Sequence, residues 1–270
     1  MRNFLEVTNL KSGYFNKPVL KDINFSIKKG EFVGIIGPNG AGKSTLIKTL
    51  SKTLTPFGGK VFYKGKDIYK MPLSEVAQSI AVVPQDTLIV FEFLVWDIVM
   101  MGRIPYIKKF QGETENDLKV IEKSLELTDT KELASRFMNE LSAGERQRAI
   151  IAKALAQEPD LLILDEPTSH LDISHQIDIF DLIKSLSKKE GLTVMAVLHD
   201  LNLASEYCDR LILLKEGAVF KEGTPKEVLD YRIIEEVYKT VVVVRENPIS
   251  GKPYVFLVPQ EKRNERKSTR

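Results

Sequence analysis

The chain has 270 residues, 43% of them hydrophobic, which is enough for one large domain, or one domain with a substantial insertion, around a sizeable core. Thirty-nine basic against 37 acidic residues leave a formal charge of +2, so no strongly charged partner is implied and a dedicated nucleic-acid binder, which would show a clustered basic excess, is not expected. Cys208 is the single cysteine; it excludes an internal disulfide, fits a reducing compartment and reads as a small buried apolar residue.

The amino terminus, MRNFLEVTNLKSGYF, has no apolar h-region, and nowhere do about eighteen uncharged apolar residues run together, so any membrane role is expected to pass through a partner. Residues 4–35 carry four short strand patterns with turns between them: FLEVTNL, KSGYF, NKPVL and DINFSI, closed by Lys28, Lys29 and Gly30. Tyr14, on one of these edge strands, can stack on an adenine ring or lie half-buried in the sheet; Phe15 takes its place if the register differs.

Phe32 to Thr45 reads FVGIIGPNGAGKST. The apolar run Phe32 to Ile36 behaves as a buried strand, then breaks into Gly37, Pro38, Asn39, Gly40, Ala41 and Gly42 and ends in Lys43, Ser44 and Thr45. The glycines leave backbone N–H groups free to converge on anionic oxygens, and a helix beginning near Gly42 adds its positive dipole end. Lys43 can reach the β- and γ-phosphates of a nucleotide, and the Ser44 hydroxyl is placed to ligate Mg²⁺. Leu46, Ile47, Leu50 and Leu54 continue at helical spacing, so the pattern predicts a strand–loop–helix unit.

Gly58 to Ile68 predicts a strand, a turn and a further strand of the antiparallel layer. Ile80 to Val83 is a second buried strand, which Pro84 ends so that Gln85 stands at the strand terminus; its amide can ligate Mg²⁺, orient water, or be an ordinary loop amide. From Phe91 to Ala134 the pattern turns helical, with FEFLVWDIVMMGR apolar on most sides and Leu118, Ile121, Leu125 and Leu127 marking a later helix. Trp96, Met100 and Met101 can all be core, or an exposed share of this cluster can form a docking groove for a partner helix.

In LSAGERQRAIIAKAL, Ser142 is a good N-cap, Gly144 permits close approach of backbone, and Ile150, Ile151, Ala154 and Leu155 form a buried stripe. This is an ordinary capped helix or, through its open Ser hydroxyl and glycine, a second anion site. LLILDEP supports the nucleotide site: a buried parallel strand carries two adjacent carboxylates at its carboxyl end, where ligands bind in open α/β sheets. Asp165 can hold Mg²⁺, directly or through water, and Glu166 can take a proton from an attacking water. TVMAVLHD is another buried strand, ending at His199, whose imidazole can contact a γ-phosphate. The remainder predicts a hairpin, two short helices and a closing hairpin around NPISG.

These motifs in this order resemble the ATP-binding subunits of ABC transporters over nearly the whole chain. GPNGAGKST resembles the Walker A loop, Gln85 the Q-loop, LSAGERQR the signature, LLILDEP Walker B, Ser169 to Asp172 the D-loop, His199 the switch histidine and Tyr14 the A-loop aromatic. LSAGE stands where LSGGQ is commonest, so Ala143 adds a methyl and Glu145 a charge.

The resemblance implies an α/β fold, a P-loop NTPase (RecA-like) parallel sheet with an N-terminal antiparallel layer and an inserted helical subdomain. Residues 1–85 and 159–230 would form the nucleotide-binding core, 86–158 the helical subdomain and 231–259 a C-terminal extension, with 260–270 a disordered basic tail. It further implies ATP with Mg²⁺ and a head-to-tail homodimer, in which Ser142, Ala143, Gly144 and Glu145 of one copy face the ATP of the other and Asp172 lies in the loop between.

VMMGRIPY, HDLNLA and PISGKPYVFLVP are similar to importers of iron–siderophore, haem or cobalamin complexes. The implied partners are permease subunits docked near Phe91 to Arg103 at the cytoplasmic face of the cell membrane and, indirectly, an extracytoplasmic substrate-binding protein. The competing readings are a non-transport ABC ATPase of DNA repair or translation and a small-molecule kinase using the same phosphate loop.

Overall fold

The computed structural model describes residues 3–85, 91–107 and 112–263. Residues 86–90 and 108–111 of the expected helical subdomain and positions 264–270 of the expected tail lie outside the described residues; the start of that tail, Gln260–Lys262, is corrected from disordered to a 3₁₀ turn. The chain opens with β1 (Leu5–Tyr14) and β2 (Lys17–Ile27), an antiparallel hairpin turning at Phe15 and Asn16, both at positive φ (48° and 60°). The four short strands expected here are corrected to these two long ones. The apparent breaks are bulges: the register shifts between Val7 and Leu10 and again between Leu10 and Ser12, and Asn9 and Asp22 take the left-handed conformation that Asn and Asp tolerate.

β3 (Phe32–Ile36) leads into α1 (Lys43–Leu50). That helix was expected to run on to Leu54. It stops at Leu50 because the chain folds back: Lys52 turns left-handed (φ 61°), and the N–H groups of Thr53 and Leu54 both reach the Lys48 carbonyl at 2.9 Å. β4 (Gly58–Tyr63) and β5 (Lys66–Asp67) complete an antiparallel layer of order β2-β1-β4-β5. α2 (Leu73–Ser79), too short for its periodicity to announce it, precedes β6 (Ile80–Val83).

The middle of the chain is helical: α3 (Val95–Met100), a 3₁₀ turn over Met101–Tyr106, α4 (Glu115–Leu127) and α5 (Ala143–Leu155). β7 (Leu161–Asp165), α6 (Ile173–Lys189), β8 (Thr193–Val197), α7 (Leu201–Tyr207), β9 (Arg210–Lys215) and β10 (Ala218–Gly223) follow. α8 (Pro225–Val228), α9 (Tyr231–Tyr238) and the hairpin β11 (Val242–Glu246) with β12 (Pro253–Leu257) close the chain.

The second sheet has the order β10-β9-β3-β8-β7-β6, parallel from β9 to β6, with β10 antiparallel at the edge. It separates two apolar cores. Phe32, Leu162, Leu164, Val194 and Ala196 face the helical side, while Val33, Ile35, Leu161, Ile163, Met195 and Val197 face α1 and the antiparallel layer. Both faces are covered, so these strands read as unbroken apolar runs rather than alternating ones.

Within the helical segment Val95, Ile98 and Val99 are core, whereas Trp96, Met100 and Met101 are half-buried against it. On α4 the buried stripe is Asp117, Ile121, Ser124 and Leu125; Leu118, expected in it, is exposed, because Asp117 turns inward to meet a cation. That cation is Arg103, 1% exposed, whose Nε donates to Asp117 Oδ1 (2.8 Å) while an Nη donates to the Ala156 carbonyl (2.7 Å) and to Glu158 Oε2 (2.8 Å). The Thr114 hydroxyl and N–H and the Arg103 charge hold the Asp117 carboxyl below its usual range against the effect of burial. Arg103→Ala, which strands this carboxylate, should cost about 3–5 kcal/mol of stability in urea unfolding. Arg103→Lys should recover little, since a single ammonium cannot reproduce the guanidinium fork.

Candidate active site

Four strands of the parallel sheet end side by side, and each delivers one reactive segment: β3 the glycine-rich loop, β6 Gln85, β7 Asp165 and Glu166, β8 His199. Gly42 is the N-cap of α1 at φ 102°, and a Cβ added there would fall 2.6 Å from Leu20 Cδ2, so only glycine lets the loop seat against β2. Pro38 and Ala41 close the loop on itself, the Ala41 N–H donating to the Pro38 carbonyl (3.1 Å). Lys43 is buried inside the ring so formed, its Nζ donating to the carbonyls of Gly37 (2.8 Å) and Pro38 (3.2 Å). Burial lowers the Lys43 pKa, opposed by the charges of Glu166 and Asp165. Asn39, Gly40, Lys43, Ser44, Thr45 and Glu166 line one cleft, with Ser44 exposed to it.

Glu166 lies just past the end of β7 at φ 51°, a left-handed conformation for a non-glycine residue followed by proline. Its two carboxylate oxygens are gripped separately: Gln85 Nε2 donates to Oε2 (2.8 Å) and His199 Nε2 bonds Oε1. An ionised carboxylate only accepts, so the proton of that second bond sits on His199 Nε2. Asp165 differs. Its Oδ1 is buried with no hydrogen-bond partner, and burial first, then the neighbouring Glu166 charge, raises its pKa, with Lys43 opposing. A buried carboxylate oxygen lacking a donor suits a hard divalent cation, and the next residue, Glu166, lines the cleft to which the Ser44 hydroxyl is exposed.

The signature segment stands apart: none of Ser142, Ala143, Gly144 and Glu145 lines the Lys43 cleft. Ala143 lines a separate pocket with Gln85, Glu166 and Leu171. The open Ser142 hydroxyl expected from the sequence is corrected. Glu145 closes a capping box, accepting from Ser142 Oγ (2.7 Å) and Ser142 N (2.9 Å), while the Ser142 Oγ accepts from Glu145 N (3.3 Å). The added charge of LSAGE is therefore turned onto its own helix terminus, and the Ser142 bonds lower the Glu145 pKa. Asp172 caps α6, accepting from the His175 backbone N–H (3.0 Å) and the Ser174 hydroxyl (2.9 Å). Tyr14 is 38% exposed with Lys48 Nζ 5.6 Å from its ring centroid, outside the residues lining the cleft; Phe15 is 98% exposed at the hairpin tip.

Two residues near the site had no sequence signal strong enough to single them out. Tyr238 of α9 bonds the Gly37 backbone, with burial pushing its hydroxyl up to about 12. His175 pairs its Nδ1 with Asp172 Oδ1 (2.7 Å); a histidine three residues after a helix N-cap Asp is the pattern that could have found it. In the expected docking stretch Arg103 points inward, for the reason given above. The exposed apolar side chains are Phe91, 73% exposed and edge-to-face with Phe93, and Ile104 just beyond the stretch, 63% exposed.

Residues 20–169 match the family described as ABC transporter. The ferric enterobactin transport ATP-binding protein FepC of Escherichia coli (strain K12) is 40% identical over 246 residues, which cover 91% of each chain. Among solved structures, one described as a metal-chelate type ABC transporter in an inward-facing conformation superposes with a TM-score of 0.85 at 28% identity, covering 97% of this chain and 99% of that one. The ATP-binding cassette MJ0796, a dimer in a post-hydrolysis state bound to ADP and Pi, gives a TM-score of 0.69 at 30% identity, covering 82% and 98%. The P-loop fold with its antiparallel layer and inserted helices is thus a shared one.

At neutral pH an ionised, unpartnered Asp165 is a cost to the folded chain, one that appears as pH rises from the ordinary carboxyl range through its raised pKa. Asp165→Asn should therefore raise the stability of the nucleotide-free protein at neutral pH by about 1 kcal/mol. The same change should abolish the further stabilisation that Mg²⁺ adds to ATP. Thermal unfolding with and without each ligand checks both arms.

Proposed function

This chain belongs to the ABC transporter family, and on that premise we propose that it powers import of an iron chelate (siderophore), haem or cobalamin through a separate membrane permease. ATP hydrolysis is the family's activity. The observation that carries the hydrolysis is the joint placement of Lys43, Asp165 and a doubly held Glu166 at neighbouring strand ends, while the import reading is supported by the likeness to import ATP-binding proteins. In it residues 1–85 and 159–230 bind the nucleotide, 86–158 carry the signature and 231–259 form an extension.

Lys43 and the loop N–H groups bind the β- and γ-phosphates, with Tyr14 stacking on the base. Ser44, Asp165 and Gln85 would hold Mg²⁺, which neutralises phosphate charge when bound. Glu166 accepts the proton of the attacking water as the bond from the γ-phosphorus to the ADP oxygen breaks; His199 and Gln85 fix the carboxylate for that task. A single chain leaves the phosphates open on one side, so in this reading Ser142 and Gly144 of a second copy close over them, with Ala143 and Glu145 shaping the turn. Charge stabilisation supplied in trans can be worth ~10³–10⁵ in rate, which lets closure gate hydrolysis.

No helix among the described residues is long and apolar enough to cross a membrane. In this reading the chain works at the cytoplasmic face through its permease, docked near Phe91 to Arg103, and meets a substrate-binding protein only indirectly. Expression with its neighbouring genes should co-purify the chain with an integral membrane protein. Recovery only with ribosomes or DNA would overturn the transport reading.

Glu166→Gln should keep ATP binding, lower turnover by about 10²–10⁴ and trap an ATP-bound dimer visible by light scattering. Unaltered turnover would remove Glu166 from the proton-accepting role.

A further inference from the structure

We propose that His175 is a positioning residue that locks the Asp172 loop to the signature turn, so that the two segments facing a second copy move as one body. The inference rests on the dimeric reading above and adds a residue to it.

His175 is the third residue of α6, whose N-cap is Asp172. Three donors meet on Asp172 Oδ1: the His175 backbone N–H (3.0 Å), the Ser174 hydroxyl (2.9 Å) and the His175 ring at Nδ1 (2.7 Å). The backbone N–H first, then the ring and the hydroxyl, hold the carboxyl at about 2, so it is ionised at neutral pH and Nδ1 carries the proton. Pinned at Nδ1, the ring turns its opposite edge onto the signature helix. A Cβ added to Gly144 would lie 2.3 Å from His175 Cδ2, 2.9 Å from Cγ and 3.1 Å from Nε2. The place of a side chain at Gly144 is thus filled by imidazole from the same chain.

The linkage extends at both ends. Gly144 lies inside the capping box that joins Ser142 to Glu145, so the ring bears on the turn that holds the signature serine. On the other side Gln176 Nε2 donates to the carbonyls of Leu171 (2.9 Å) and Thr168 (3.3 Å), tying the first turn of α6 to the segment that leaves Glu166. A shift of either loop by a few tenths of an ångström has to carry the ring with it or break its contact with the glycine, because packed contacts of this kind do not deform continuously. An alanine or asparagine at 175 would leave the signature turn without that neighbour, and asparagine alone would keep a donor for Asp172.

The contact itself is read by thermal unfolding: Gly144→Ala should lower the melting temperature, and His175→Ala in the same chain should recover part of the loss, whereas strictly additive effects would deny it. The positioning role is read in the Glu166→Gln background by light scattering over a range of protein concentrations with ATP. His175→Ala and His175→Asn should each weaken ATP-dependent dimerisation by about tenfold, while leaving the affinity of the monomer for ATP within about twofold. In wild-type enzyme the same changes should lower kcat and leave KM for ATP nearly unchanged.

Dimerisation that follows melting temperature instead, normal in the asparagine variant and impaired only in the alanine one, would make His175 merely structural and overturn the proposal. So would full dimer affinity in both. If Glu166→Gln alone fails to dimerise, the dimeric reading falls and takes this inference with it.

Discussion

A strand buried on both faces can present a polar group only at its ends. β3, β6, β7 and β8 lie in one parallel sheet between two apolar cores, and their carboxyl ends share one edge. Lys43, Gln85, Asp165, Glu166 and His199, scattered over more than half of the sequence, meet there for that reason. The two cores are what hold the site: each alternate residue along β7 and β8 is fixed on one side or the other, so no strand can slip by one position without exposing its whole apolar set.

The charges on this edge are not evenly satisfied. Glu166 has a donor for each oxygen, and Lys43 is folded onto the carbonyls of its own loop. Asp165 carries an oxygen with no partner and a pKa raised by burial. The folded chain thus stores an unfavourable electrostatic arrangement that a divalent cation bound with phosphate would relieve, and the left-handed backbone at Glu166 adds local strain at the same point. Stability given up at a site in this way is a common accompaniment of function.

The helical side is organised by different means. Arg103 anchors the 3₁₀ turn after α3 to α4 and to the end of α5 through three acceptors, so the segment that carries the exposed Phe91 and Ile104 is set by a buried cation rather than by apolar packing alone. On α5 the glutamate of LSAGE completes a capping box, and Gly144 accommodates a histidine from α6. The signature turn is therefore shaped within its own chain before any second copy approaches.

Much of this was legible in the linear order of residues. Unbroken apolar runs ending in GPNGAGKST, LLILDEP and VLHD identify parallel strands with their reactive termini, because a doubly covered strand and a phosphate loop each demand a distinctive local composition. Bulges at Asn9 and Asp22 passed for turns, since the same residue types serve both, and α1 ended early through a backbone fold-back that no side chain announces.

The sequence by itself determined the parallel sheet, the glycine-rich loop between β3 and α1 and the two carboxylates at the end of β7. The tertiary structure alone decided that Arg103 points inward, that Asp165 lacks a donor and that His175 fills the space beside Gly144. Each of these depends on which side chain from a distant or turned segment occupies a given position, and separation along the chain carries no record of that.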